Sequence, residues 1–178
     1  MKRTFSTKRL CRAGVIAALY VATTYAFMPF AFGPFQIRPA EALCILPLFF
    51  IEAVPALYVG CMLSNLVSPF AFYDVLFGSL ATLLSALITY MVGVFIKKDA
   101  NKLLLGGISP VLFNAVIIPL VILFLYPSNG QESATLTLYV SYAFSIALTQ
   151  AVWVYGLGAP LFYGVKSLQR HGVSFLRN

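Results

Sequence analysis

From Val75 to Ile96 the chain carries no charged residue, and that run is long enough to cross the hydrocarbon of a bilayer as one helix. Comparable apolar stretches lie on either side of it, more than a soluble fold of this length has interior to hide. The composition agrees, with 61% hydrophobic residues, 10% charged residues and a mean hydropathy of +0.91. The sequence therefore reads as an all-α integral membrane protein. At roughly 20 apolar residues per crossing plus short loops, a single membrane domain over 1–178 holds about six helices. The net charge of +7 comes from basic residues grouped at segment ends rather than along an amphipathic face. Such groups set topology in a bilayer, and nucleic acid is not an expected partner.

Lys2, Arg3, Lys8, Arg9 and Arg12 precede an apolar run expected to form helix 1 over 13–32. That run is too long for the core of a signal peptide and lacks a clean small-residue cleavage site. The region from Pro39 to Val67 has two readings. As one helix it would carry Pro47, Glu52 and Pro55 through the membrane, with Glu52 near the centre costing about 2.5–3.5 kcal/mol. As two helices, over 39–51 and 54–67, it turns at Glu52 and each arm is short. Parity favours two. Lys97, Lys98 and Lys102 belong on the same side as the basic N-terminus, so an even number of crossings lies between them. The remaining helices are expected over 74–96, 107–126 and 136–165, with Asp74 capping the first of these, a polar outer loop from Pro127 to Ser133, and Lys166, Arg170 and Arg177 returning the tail inside. The expected architecture is a six-transmembrane-helix bundle with cytoplasmic termini and short helices 2 and 3. Such short spans persist by leaning on neighbours, and they leave a cavity above them.

Little in this frame can perform catalysis. The one histidine, His171, lies in the basic tail, and no Gly-x-x-x-x-Gly-Lys-Ser/Thr loop is present. No catalytic set, cofactor or metal site is expected, and the chain cannot use ATP by itself. Cys11, Cys44 and Cys61 have neither metal-ligand spacing nor an even disulfide framework and read as packing residues. The informative polar residues gather in the outer half. Arg38 and Glu41 sit three apart at the start of helix 2, close enough to pair, with Glu41 in the first turn, where the helix dipole favours a carboxylate. Glu41 either caps and neutralises or meets a ligand; Arg38 is a ligand contact, a gate or a headgroup anchor. Asn65 ends helix 3 as a turn residue or a pocket residue, and Asp74 is a cap or a contact. Asn114 is an amide among Val, Ile and Phe that bonds a neighbouring helix or a ligand. Gln150 and Trp153 share a face of helix 6, and Tyr73, Tyr139 and Tyr142 add rings nearby. Flat rings beside amides and carboxylates suit a planar, hydrogen-bonding ligand. Glu52, Lys97 and Lys98 read as turn and topology residues.

The run from Gln36 to Phe49, QIRPAEALCILPLF, followed by Ile51 to Leu66, IEAVPALYVGCMLSNL, and Asp74 to Leu83, DVLFGSLATL, resembles the queuosine precursor transporter (QueT) family. These proteins are substrate-binding S components of energy-coupling factor transporters. The resemblance implies uptake of a queuosine-related deazaguanine bound in the outer half of the bundle. It also implies docking on a transmembrane T component coupled to two cytoplasmic ATPases, with the S component toppling in the bilayer to deliver its cargo. Docking in such systems uses small residues on helix 1, which here are Gly14, Ala18 and Ala22 at spacing four beside Ala13 and Ala17. Against this stand an S component for another vitamin-like ligand, a self-sufficient channel or facilitator, and a lipid-acting membrane enzyme. The absence of sustained polar lining along any helix weighs against the channel.

Overall fold

The computed structural model describes residues 7–32, 35–125 and 135–173. Lys2, Arg3, Arg177 and the polar loop expected over 127–133 lie outside the described residues. The chain forms α1 (Thr7–Ala26), a helical turn at Met28–Ala31, α2 (Pro39–Leu48), α3 (Ala53–Asn65), α4 (Ala71–Phe95), α5 (Asp99–Leu125) and α6 (Leu136–Arg170), with no strand among the described residues. By length and composition α4, α5 and α6 are each able to cross a membrane, whereas α2 and α3 are shorter apolar helices. On the long helices Leu112, Phe144 and Leu148 are more than half exposed, while Ser85, Thr89 and Ser109 are buried. Apolar side chains outside and hydroxyls inside reverse the soluble pattern, as a lipid solvent requires.

The short hairpin follows from its prolines. Pro39 opens α2 and Pro47 sits within it, each removing a backbone donor, and the segment winds as a 3₁₀ helix. At about 2.0 Å per residue ten residues reach about 20 Å, the same as the thirteen residues of α3 at about 1.5 Å. The two arms therefore match in length although their residue numbers differ. Close backbone approach holds the hairpin in place. A Cβ on Gly60 would lie 3.2 Å from the Ala17 carbonyl oxygen, and one on Gly93 would lie 2.6 Å from the Leu48 carbonyl oxygen. Between α4 and α5 the Thr89 hydroxyl meets Ser109 at 2.6 Å, and Ser109 reaches the Ser85 carbonyl at 3.1 Å, so small polar residues join the two helices.

Several boundaries differ from those expected. α1 starts at Thr7 rather than 13, so Lys8, Arg9 and Arg12 are helical. Arg12 is 3% exposed, on one stripe with Ile16, Tyr20 and Thr24, and forms an ion pair with Glu52 in the hairpin turn. Glu52 lies in the turn as expected, and the ion pair adds to both residues a packing contact that their sequence positions did not suggest. α5 begins at Asp99 rather than 107, its first-turn acid stabilised by the helix dipole and ion-paired to Lys166. α6 continues past 165 to Arg170. α4 begins at Ala71, with Phe70 in the cap position and no side-chain cap, so Asp74 lies inside the helix and does not cap it. These pairings define two ends of the bundle. A basic end holds Arg12, Glu52, Asp99 and Lys166; the opposite end holds the turn at Met28–Ala31, Arg38 and the α3–α4 connection.

Candidate ligand-binding site

A cleft of about 320 Å³ opens at the second end, lined by Met28, Pro29, Phe32, Val67, Ser68, Pro69 and Phe70. Two of these residues lead inward. The Phe32 ring lies beneath the Arg38 guanidinium, 4.8 Å from ring centroid to the carbon of the charged group. The Ser68 hydroxyl donates to the Asp74 carboxylate, and the same oxygen accepts from the Phe70 N–H at 3.1 Å.

Behind the cleft, Arg38, Glu41, Asn65 and Asp74 are all buried. Arg38 and Glu41 form no ion pair, which corrects the pairing expected from their spacing. The extended backbone at Arg38 carries its side chain away from α2, where Nε donates to the Ala31 carbonyl at 2.7 Å and Nη2 to Asn65 Oδ1 at 2.9 Å. Glu41 takes the Tyr20 hydroxyl on Oε1 at 2.7 Å and the Cys44 thiol on Oε2 at 3.2 Å. Asn65 is the hub. Its amide nitrogen donates to the Asp74 carbonyl at 2.7 Å and to Cys61 Sγ at 3.4 Å, while its oxygen holds Arg38. Thr82 reaches Cys61 from α4 at 3.3 Å. Asn65 and Asp74 are brought together where α4 opens into a π-helical turn over Asp74–Gly78. Gly78 leaves the room that Asn65 occupies, since a Cβ there would sit 2.9 Å from the Asn65 amide nitrogen. Both ends of the Asn65 amide are thus hydrogen-bonded within the protein, to Arg38 and to the Asp74 backbone, and Cys44 and Cys61 are hydrogen-bonding members of this shell as well as packing residues.

A second group of polar atoms has no protein partner. Gln150 is 0% exposed, and both its amide atoms are unpaired. It lies one turn from Ile146, which packs with Tyr73, Phe77 and Tyr142, and one turn from Val154, which packs with Ile45. Val154, one turn on from Gln150, is also buried, while Trp153 is half-buried within the π-helical turn Val152–Leu157. Asn114 is buried on α5, and no described residue bonds its amide, so the helix-to-helix bond weighed for it is absent among the described residues. Tyr142 is half-buried beside Ile118 and Ile146, and Tyr139 reaches the Val116 carbonyl at 3.3 Å near the surface. The hydroxyls of Ser64 and Ser79 are likewise buried and unpaired. An unpaired amide in a dry interior costs about 1–3 kcal/mol.

Sequence reasoning passed over Tyr20, Gln36, Ser68 and Thr82. Gln36 is buried and takes φ +43°, a left-handed conformation that residues other than glycine rarely adopt, and only the fold reveals this. Tyr20 had a signal in the four-residue stripe Arg12, Ile16, Tyr20, Thr24. The small residues of α1 divide between two faces. Ala13 and Ala17 pack against the hairpin core, whereas Gly14, Ala18 and Ala22 are exposed on the other side.

The fold and this interior define a class: a helical membrane protein with apolar outer faces and a buried polar cluster reached from one end. The family model described as QueT transporter matches residues 10–167, nearly the whole chain, and the chain belongs to that family. It is a membrane protein of a transporter family. No curated protein and no solved structure matches it.

Proposed function

We propose that this chain is the substrate-binding S component of an energy-coupling factor importer, and that its ligand is a queuosine precursor or related deazaguanine. The observation that carries this reading is Gln150, a wholly buried amide with an unmet donor and an unmet acceptor, in a protein that also buries the polar residues Arg38, Glu41, Asn65 and Asp74. A primary amide matches the alternating donors and acceptors on the edge of a guanine-like ring, and the Arg38 guanidinium suits its carbonyl. Nearby rings of Tyr73 and Tyr142 supply stacking surface.

In this reading the chain crosses the cell membrane six times with both termini in the cytoplasm, the basic end inside and the cleft outside. α2 and α3 cross as shortened spans. The chain performs no reaction of its own. A T component docks on the exposed Gly14, Ala18 and Ala22 face of α1, where the absence of bulk allows a partner helix close approach, and two cytoplasmic ATPases supply the power.

Calorimetric titration of the purified chain with deazaguanine bases and the corresponding nucleosides tests the ligand. Saturable binding of one molecule per chain is expected for at least one of them, and an absence of binding across the set removes the substrate assignment. Liposomes holding this chain alone are expected to show no flux; measurable flux would identify a facilitator instead.

A further inference from the structure

The two acids of the basic end are already taken. Among the described residues Glu52 pairs with Arg12 and Asp99 with Lys166, and no carboxylate lies within ion-pair distance of Lys97, Lys98, Lys102 or Arg170. The fold gathers these cations from two segments. α5 and the second half of α6 run antiparallel and in contact. The Tyr155 hydroxyl donates to the Leu104 carbonyl at 2.7 Å, a Cβ on Gly107 would stand 2.5 Å from the Tyr155 ring, and Lys166 closes the seam on Asp99. That ion pair sets the last turn of α6, with Arg170, beside the α4–α5 connection, where Lys97 and Lys98 precede Asp99 and Lys102 follows one turn later. Tyr163, Lys166 and Arg170 recur at intervals of three and four residues, so they share one stripe of α6. At about 1.5 Å per residue the 35 residues of α6 reach about 52 Å, against about 30 Å of hydrocarbon, so its basic last turn has room to stand in a headgroup layer.

Apolar side chains stand among these charges. Phe95 is 80% exposed, and Leu104, Tyr163 and Leu168 are about half exposed. An acidic peptide would meet the cations alone. A phospholipid meets both kinds of group at once, its headgroup on the cations and its acyl chains on the apolar side chains. We infer that the α5–α6 seam at the basic end is a binding surface for anionic phospholipid: Lys97, Lys98 and Arg170 take the negatively charged headgroup, and Phe95 and Tyr163 lie along its acyl chains. A zwitterionic lipid with the same chains brings a cation of its own, which these residues repel, so the surface discriminates between the two. This inference does not depend on the transported ligand.

The test offers the purified chain equal amounts of phosphatidylglycerol and phosphatidylcholine with identical acyl chains and counts the lipids it retains by native mass spectrometry. The unmodified chain is expected to retain at least fivefold more phosphatidylglycerol. Replacing Lys97, Lys98 and Arg170 together by glutamine is expected to bring that preference below twofold, with thermal unfolding in detergent unchanged. Single substitutions then locate the surface: Arg170→Gln should weaken the preference, whereas Arg9→Gln, which removes a cation from α1 at the same end, should leave it in place. Equal retention of the two lipids by the unmodified chain overturns the inference and leaves these cations to an acidic face of a partner protein. Equal losses from Arg9→Gln and Arg170→Gln overturn it as well, because the preference would then belong to the charge of the whole end and not to this seam. The lipid comparison on the unmodified chain decides the matter even if the triple variant does not fold.

Discussion

Two buried arginines lie over phenylalanine rings in this molecule, and they are treated in opposite ways. At the basic end Arg12 sits 4.3 Å from the Phe50 ring centroid and pairs directly with Glu52, leaving Nε and Nη1 without partners. Near the cleft Arg38 sits over Phe32 and is held by a carbonyl and an amide, while the acids beside it bond to hydroxyls and a thiol. The first arrangement consumes its charges internally and tolerates unmet donors; its effect is to tie α1 to the hairpin turn. The second, the cluster proposed above to bind the ligand, has no direct ion pair between its guanidinium and its carboxylates, each of which has a neutral hydrogen-bond partner. A clamp for the fold and a receptor for a ligand can thus be built from the same residue types. What separates them is whether the acid and the base meet.

The largest effect should come from breaking the clamp. Arg12→Met or Glu52→Leu alone strands a charge in the interior, and each is expected to cost about 3–5 kcal/mol. The double substitution removes both charges and is expected to be neutral or to stabilise by about 1–4 kcal/mol, with ligand affinity unchanged. Thermal unfolding in detergent together with titration measures this. If the double variant loses ligand binding while remaining folded, the basic end takes part in the site and the contrast drawn above is lost.

A smaller effect of opposite sign should appear at the receptor. Gln150→Leu exchanges an unpaired amide for an apolar side chain of similar size, so the empty protein is expected to gain about 1–2 kcal/mol. Ligand affinity should fall by tenfold or more. A variant that loses stability would mean that the amide is paired in the working protein and serves the fold, which would move Gln150 to the clamp's side of the comparison.

How much of this was legible in the sequence depends on whether a residue's role is local. The long apolar helices follow from composition, and the break between α2 and α3 follows from Glu52, Pro47 and Pro55 together with the parity of the basic groups. Arg12 misleads because a cation in the first turns of a membrane helix reads as a topology signal, and its acid partner is far away in sequence. The spacing of Arg38 and Glu41 suggested a pair, but the extended backbone at Arg38 turns its side chain toward Asn65 instead. Asp74 looked like a cap because Pro69 and the aromatic residues before it resemble a loop; the helix in fact opens at Ala71. Gln36 could not be read at all, since a positive φ at glutamine is imposed by tertiary packing.

The smallest expected change in stability lies on α1, the helix that joins both regions through Arg12 and Tyr20. Its two small-residue faces give a direct contrast. Around Gly14 nothing lies within 4 Å of an added Cβ, whereas an added Cβ on Gly60 would stand 3.0 Å from the Tyr20 Cβ and 3.2 Å from the Ala17 carbonyl oxygen. Gly60→Ala pushes against backbone that cannot yield, so about 1–3 kcal/mol of stability should be lost. It should also weaken ligand binding, because Tyr20 is the residue that donates to Glu41. Gly14→Leu meets open surface and should change stability by less than about 0.5 kcal/mol, with ligand binding intact. If this face receives a partner helix, the added bulk should nevertheless abolish co-purification with the T component and uptake into cells. Normal uptake by Gly14→Leu would show that the partner docks elsewhere, and would leave α1 as a link between clamp and receptor only.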